Sequence, residues 1–290
     1  MSGGRLYVVA TPIGNLGDVT LRAIEVLKAV PLIAAEDTRL TRRLLSRYEI
    51  PTRTISYHAR SDPRRAEELL AHLRAGEDIA LVTDAGTPTV SDPGADLVAR
   101  WAAEEGEIVP IPGASAALAA LVASGVAGPR WSFEGFLPRT GRDRRERIAR
   151  IAADERATLV YEAPGRVAAT LRDLAAACGE QRRAAVCREL TKLHEETVRG
   201  SLGDLARRAS DGELTLRGEF VIVGGEGRAG ETGVDVAGHP SAYPAAAAVA
   251  ARSEVERLIA AGSSRVDAVR TVAAATGIPR RQLYGAPSDR

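Results

Sequence analysis

Apolar residues fall in short runs through the first 125 positions, and each run is followed by a segment whose apolar positions recur at helical spacing. The runs Leu6–Ala10, Leu32–Ala35, Arg53–Tyr57, Ile79–Thr83 and Ile108–Ile111 predict strands. Most are nearly continuous in hydrophobicity, which suits strands covered on both faces. Their alternation with helices predicts an α/β domain with a largely parallel sheet. Caps and prolines punctuate the helices. Ser61-Asp62-Pro63 precedes a helix over Arg64–Ala75 that Gly76 closes. Similarly, Asp92 reads as an N-cap, Pro93 as the first helical residue and Gly106 as the far stop of another helix. Three strands lead into loops of small residues and proline: Thr11–Asp18 before a helix over Thr20–Val30, then Thr83–Gly94, then Pro112–Ser115 before Ala116–Ser124. Such loops at the carboxyl edge of a parallel sheet let a ligand approach bare backbone. They predict a ligand-binding edge without naming the ligand.

Past the junction-like Gly125-Val-Ala-Gly-Pro129 the texture changes. Strands are expected at Trp131–Phe136, Ala157–Glu162, Ala184–Leu190, Thr197–Gly200 and Glu219–Val223. Helices are expected at Arg142–Ala153, Arg166–Ala177 and Leu202–Ser210. The resulting organisation is a first α/β domain over 1–125, a second with a more mixed sheet over 130–225, a flexible Gly/Ala/Pro linker over 226–250, and a C-terminal helical segment over 251–290. In that last segment Gly277 separates two helices, the second opened by Pro279, as in a helix-turn-helix hairpin.

With 290 residues of which 45% are hydrophobic, the chain has ample material for a core. A formal net charge of +1 argues against a polyanion-binding surface everywhere and directs attention to local patches. The segment Arg139–Arg150 is such a patch: six arginines stand against Asp143 and Glu146. Lys28 and Lys192 are the only lysines. Two cysteines, Cys178 and Cys187, imply a reducing compartment and no disulfide framework. The N-terminus lacks a signal-like apolar stretch and no run is long enough to span a bilayer, so a cytoplasmic location is expected. The four histidines are scattered without ligand spacing, and no structural metal is expected. Gly225-Glu-Gly-Arg-Ala-Gly230 matches a dinucleotide-binding pattern, but Glu231–Pro244 offers no helix to receive a pyrophosphate.

The segments Ala10–Asp18, Ala35–Arg39, Asp84–Gly94, Pro112–Ser115, Phe133–Arg139, Tyr161–Arg166 and Cys187–Glu195 occur in order with natural spacing. Together they resemble the small-subunit ribosomal RNA methyltransferase I family, a branch of the tetrapyrrole methylase superfamily, from about Leu6 to Val223. Pro12-Ile-Gly14 and Gly86-Thr-Pro88 stand where tetrapyrrole enzymes usually carry a Gly-rich loop and a Gly-Asp-Pro motif, which disfavours a porphyrinoid substrate. The resemblance implies two α/β domains of the tetrapyrrole methylase type with a cofactor cleft between them. It implies S-adenosylmethionine as methyl donor, the ribose 2′-hydroxyl of a decoding-centre cytidine in 16S rRNA as acceptor, and a homodimer.

It also implies site residues. Pro12, Ile13, Gly86, Thr87, Val90, Ser115, Ala116 and, from the second domain, Tyr161 are the expected cofactor contacts; Ser115 also reads as a plain helix cap. In-line methyl displacement gains from positioning and from a general base. Glu36, Asp37 and Arg39 after one strand, and Glu189 and Lys192 after another, are the candidate catalytic groups, with Lys192 able to hold the substrate or, if desolvated, to act as base. Arg139, Arg142, Arg144 and Arg145, with Arg280 and Arg281 of the tail, are candidate phosphate contacts. A small-molecule methyltransferase on the same fold and a non-catalytic ribosome-binding factor are the alternatives.

Overall fold

The computed structural model describes residues 3–58, 61–227, 245–276 and 280–283. Strands β1 (Leu6–Val9), β2 (Leu32–Ala35), β3 (Arg53–Ser56), β4 (Ile79–Val82) and β5 (Ile108–Ile111) form one sheet in the order β3-β2-β4-β1-β5. Every pairing in it is parallel. Alternate side chains point to opposite faces. Val9, Ile33, Ala35, Ala80 and Val82 pack with α1 (Leu21–Ala29) and α2 (Thr38–Arg47). Leu6, Leu32, Ala34, Ile79 and Leu81 pack with α3 (Pro63–Arg74) and α4 (Ala95–Ala103). Burial on both faces explains why these strands read as continuous apolar runs. Chain leaving β1 and β2 crosses one face, and chain leaving β3 and β4 crosses the other. A crevice therefore opens at the carboxyl ends of β4 and its neighbours, the switch point of a doubly wound sheet.

Helix α5 (Ala116–Ser124) follows β5. The second sheet holds β6 (Trp131–Phe136), β7 (Ala157–Glu162), β8 (Arg183–Arg188), β9 (Glu196–Ser201) and β10 (Phe220–Gly224) in the order β6-β7-β10-β8-β9. Only β6 and β7 pair in parallel; the other pairings are antiparallel, giving the expected mixed sheet. Helices α6 (Gly141–Ala153), α7 (Val167–Cys178) and α8 (Leu202–Ser210) cover one face. The other face receives α5: Ala117 and Ala120 meet Leu159, Cys187, Val221 and Val223, joined by Ile13 and Leu190. Small side chains let this helix sit close on the sheet. At its far end Arg199 Nε donates to Ser124 O at 2.8 Å. A helix that sequence assigns to the first domain is thus the joint between both, and the break at Gly125 marks connectivity rather than packing.

Helices α9 (Ala245–Ala260), α10 (Arg265–Thr276) and α11 (Arg280–Leu283) share a small core of Ala251, Val255, Ala268, Val269, Val272 and Leu283. The expected two-helix hairpin is a three-helix unit, because the alanines at 245–250, expected to end the linker, begin α9. Residues 228–244 of the linker and the turn at 277–279 lie outside the described residues. Among the described residues no helix is long and apolar enough to cross a membrane, and no group of three His, Cys, Asp or Glu side chains is disposed to hold a metal. Cys178 and Cys187 are buried and free.

Candidate functional site

The loops after β1, β4 and β5 are tied into one floor at the switch point. Thr11 N–H donates to Gly86 O at 2.9 Å, and Gly86 N–H donates back to Thr11 O at 3.1 Å. Thr11 Oγ1 donates to Thr83 O at 3.1 Å, and Thr87 Oγ1 to Ala114 O at 3.4 Å. Gly86 has φ +83°, and a Cβ there would stand 3.4 Å from Ile13 Cγ2, so its backbone lies directly against Ile13. Pro12 and Ile13 are buried beneath this floor, while Val90 is an exposed apolar side chain on its rim. Ser115 is the N-cap of α5, its Oγ accepting from Leu118 N–H. Thr89 and Ser91 both adopt left-handed backbone, with φ +74° and +67°. Non-glycine residues hold such conformations only where surrounding structure imposes them.

The second domain closes over the floor from β6, β7 and the loop after β8. Tyr161 Oη accepts from Ala117 N–H at 3.1 Å, satisfying one of the free amides in the first turn of α5. The rings of Phe133 and Phe136 stand edge-on to Tyr161, with centroids at 4.8 and 5.6 Å. Ser91 abuts Gly135, where a Cβ would stand 2.8 Å from Ser91 Oγ. The stem of Lys192 crosses Gly14, where any Cβ would collide with Lys192 Cγ. All the expected cofactor residues therefore converge on this junction.

Its electrostatics separate the candidate catalytic groups. Asp37 caps α2 through Arg39 N–H at 2.8 Å and pairs with the Arg39 guanidinium at 2.7 Å. That side-chain pairing holds its pKa down to about 2, a poor setting for a base. Lys192 Nζ lies 2.9 Å from both Glu189 Oε1 and Glu219 Oε2. Burial alone lowers its pKa, but the two carboxylate hydrogen bonds outweigh that and the net shift is upward; Lys192 is an ammonium and not a base. Hydrogen bonding from Lys192 correspondingly lowers Glu189. Glu36 and Asp84 are linked by backbone donors: Asp84 N–H donates to Glu36 at 3.3 Å, and Asp37 N–H to Asp84 at 2.9 Å. Burial raises both pKa values.

Asp92 departs from its expected place. Helix α4 starts two residues later than the Asp-Pro pattern predicts, at Ala95, and Gly94 is its N-cap with φ +114° and no side-chain cap. In that conformation the Gly94 backbone drops onto Leu81, where a Cβ would meet Leu81 Cδ2 at 2.7 Å. Asp92 is thereby left ahead of the helix, partly buried near Glu36, Asp84 and Tyr161. Burial first, then the charges of Glu36 and Asp84, push its carboxyl up to about 7. A recurrence of acids at the carboxyl ends of β2 and β4 is the signal that could have found it; the Asp-Pro helix-start pattern masked it.

Among the candidate phosphate contacts, Arg139, Arg142 and Arg145 are exposed around the start of α6, with Arg142 paired to Glu146 at 2.6 Å. Arg144 is instead turned inward, 8% exposed. Its guanidinium donates to Asp173 at 2.7 Å, Thr170 Oγ1 at 2.9 Å and Pro138 O at 3.1 Å. The helical period brings it onto the core face of α6, so it is corrected from a phosphate contact to an interior residue. Arg280 is exposed on α11, and the Arg281 side chain lies outside the described residues.

Known proteins bear on this geometry at two levels. The family of tetrapyrrole (corrin/porphyrin) methylases matches residues 5–206. A ribosomal RNA small subunit methyltransferase I from Synechocystis sp. is 48% identical over 281 residues, covering 97% of this chain and 96% of that protein. Its counterpart from Bacillus subtilis is 39% identical over 283 residues, covering 98% and 94%. Among solved structures, the uroporphyrin-III C-methyl transferase of Thermus thermophilus complexed with S-adenyl homocysteine superposes with a TM-score of 0.55 at 22% identity, over 77% of this chain and 98% of that one. At that identity the likeness concerns the fold, two α/β layers meeting at a crevice. The chain belongs to the ribosomal RNA small subunit methyltransferase I family, within the tetrapyrrole methylases.

Proposed function

We propose that this chain transfers a methyl group from S-adenosylmethionine to the ribose 2′-hydroxyl of a decoding-centre cytidine in 16S rRNA of the small ribosomal subunit, acting in the cytoplasm as a homodimer. The observation that carries the reading is the crevice at the domain junction, where Glu36, Asp84 and Asp92 gather with no ion pair among the described residues, Arg39 and His58 lying near enough to offset part of the rise at Asp84 and Glu36. Such an edge favours a ligand carrying sulfonium and ammonium charges and repels a polyphosphate. The floor fits the remainder of that donor. Backbone groups of Thr87, Ser115 and Ala116 would hold its polar groups, with Gly86 giving it close approach to the loop, Ile13 and Val90 as apolar walls and Tyr161 fixing the α5 turn.

When bound, the donor supplies an electrophilic methyl group on sulfur. The chain's own residues orient and enclose: Lys192 spans from the second domain to the loop after β1, and Tyr161 and Ser91 lock the opposite side. Holding a weak nucleophile in line with the methyl is the main rate contribution expected of such a site. The exposed Arg139, Arg142 and Arg145 beside the junction, with Arg280 on the tail, favour an RNA acceptor over a small one.

The test is transfer of labelled methyl to small subunits lacking the modification, followed by nuclease mapping. Label on a cytidine 2′-oxygen is the expected result. Cofactor binding without transfer to RNA, but with transfer to a precorrin-type acceptor, would replace this reading by the small-molecule one. Sedimentation of the purified chain tests the dimer.

A further inference from the structure

Helix α2 carries a charge pattern that neither its packing nor the crevice uses. Between Thr38 and Arg47 it holds four arginines, Arg39, Arg42, Arg43 and Arg47, and no acidic residue. Every other α-helix of eight or more residues among those described that bears a basic side chain bears an acidic one as well. Thr41, Leu44 and Leu45 are buried and fix the inward face of α2. At about 100° per residue, Arg39, Arg43 and Arg47 then form one row down the middle of the outward face, with Arg42 beside it. All four are exposed. Successive members of the row stand about 6 Å apart along the axis, where like charges repel and weaken a helix. Elsewhere carboxylates relieve such crowding: Arg65 meets Glu68, Arg74 meets Glu104 and Arg207 meets Asp204. On α2 only Arg39 has a carboxylate partner, the cap residue Asp37, while Arg47 lies over the Tyr48 ring at 5.8 Å. The guanidinium groups of Arg42 and Arg43 form no ion pair or hydrogen bond among the described residues. Glu49, the next acid along the chain, sits past the helix in left-handed backbone, φ +52°, and pairs with none of them.

The row begins at the edge of the crevice. Asp37, the N-cap of α2, donates its N–H to Asp84 at 2.9 Å, so Arg39 stands nearest the crevice and Arg43 and Arg47 lead away from it over the first domain. We infer that this outward face of α2 binds the phosphates of the acceptor RNA strand, an assignment that rests on the rRNA reading above. It gives the first domain a counterpart to the exposed Arg139 and Arg145 of the second, so a strand crossing the junction is held on both domains. Guanidinium forks suit phosphate oxygens, and each phosphate neutralised releases condensed counterions. An anionic lipid surface offers the same charge, but basic helices lie in membranes by way of an exposed apolar face. Helix α2 has no such face: Leu44 and Leu45 are spent in the domain core, which leaves only Leu40, 44% exposed.

The experiment uses the full chain and small subunits lacking the modification, in filter binding over a salt series. Arg42→Ala combined with Arg43→Ala should lower the slope of log affinity against log salt by about two and weaken binding about tenfold or more near physiological salt. Arg42→Lys combined with Arg43→Lys should keep the slope, because the slope counts charge. The thermal midpoint of the double alanine variant should hold or rise, since it breaks no ion pair and relieves like-charge contacts. Its affinity for the cofactor should be unchanged. An iron chelate tethered at Ser46→Cys, exposed on the same face between Arg43 and Arg47, should cut 16S rRNA; both native cysteines are buried and escape labelling. A wild-type slope in the double alanine variant, or no cutting from position 46 in protein that still methylates, overturns the assignment. Binding to phosphatidylserine vesicles that is lost in the double alanine variant, beside unaltered subunit binding, also overturns it and gives the face to a lipid surface. Wild-type protein that binds subunits with an α2-dependent slope but transfers no methyl refutes the methyl-transfer reading alone. Equal slopes in protein that does transfer methyl refute the α2 assignment alone.

Discussion

Arg144 and Arg145 are chain neighbours with opposite surroundings, and replacing each by alanine should separate stability from RNA affinity. The buried stem of Arg144 loses two methylenes on truncation, about 1.6 kcal/mol at roughly 0.8 kcal/mol per group. Pro138 O loses its donor, which costs about 1–3 kcal/mol for a carbonyl left under-satisfied in the interior. The pair with Asp173 adds at most about 1 kcal/mol, because that side chain is 47% exposed and water replaces the guanidinium. The sum is roughly 3–6 kcal/mol, read as a shift of the urea midpoint and a fall in Tm on the order of 10 °C. Arg145→Ala touches only solvent and should stay within about 0.5 kcal/mol of wild type. In filter binding to small subunits over a salt series, the pattern should invert. Arg145→Ala should lower the slope of log affinity against log salt by about one and Arg144→Ala should leave it unchanged. An Arg144→Ala protein as stable as wild type, with the reduced salt slope, would refute the interior placement of that guanidinium.

Arg182, 4% exposed, donates to Gly225 O at 2.8 Å, Arg156 O at 2.9 Å and Ile151 O at 3.3 Å, so Arg182→Met keeps the stem but strands Gly225 O and Arg156 O, while Ile151 O keeps Asp154 N–H; a loss of about 2 kcal/mol or more in urea unfolding is expected, and under about 1 kcal/mol would contradict it. Gly14→Ala should displace the Lys192 stem from the loop after β1 and raise the half-saturating cofactor concentration several-fold, while costing no more than about 1 kcal/mol, since the pairs it disturbs are partly exposed; titration calorimetry checks the first and thermal unfolding the second. Asp92 has a folded-state pKa of about 7 against an ordinary value of 3.8, so the folded chain binds the extra proton within that window and stability falls as pH rises through it. Asp92→Asn should therefore match wild type below about pH 4 and exceed it at about pH 8, and a difference independent of pH would contradict the burial of this carboxyl.

Much of the architecture was legible because the first sheet is buried on both sides. Continuous apolar runs such as Leu32–Ala35 and Ile79–Val82 can be little else in a chain that alternates them with helices. The meeting of small-residue loops at the sheet edge was legible for a related reason: loops that present bare backbone need small residues, and Gly86 with its positive φ is where that need is sharpest. What escaped was decided by tertiary contact. Nothing local to Ala117 or Ala120 says that α5 serves the second sheet; an alanine-rich helix is silent about its partner. Arg144 and Arg145 carry the same charge, and only the phase of α6 against α7 tells which is interior. Asp92-Pro93 followed a sound helix-start rule and lost to Gly94, whose packing on Leu81 set the first turn further along. The clasp of Lys192 on Gly14 joins residues far apart in sequence, so neither could announce the other.

A net charge of +1 conceals a partition that matters for the proposed reaction. The crevice gathers Glu36, Asp84 and Asp92 with no ion pair among the described residues, Arg39 and His58 lying nearby, while Arg139, Arg142 and Arg145 stand outside it around the start of α6. A polyanion approaching this surface is drawn to the arginines and repelled from the crevice, over distances of about 8 Å at physiological salt. An RNA strand can satisfy both fields only by laying its phosphates on α6 while presenting an uncharged group to the carboxylates. A ribose hydroxyl is such a group, and a cationic methyl donor is a ligand the same carboxylates attract. The charge arrangement alone thus sorts donor from acceptor. In the proposed reaction it favours the donor at the floor and the acceptor's backbone at the rim before any base-specific contact is made.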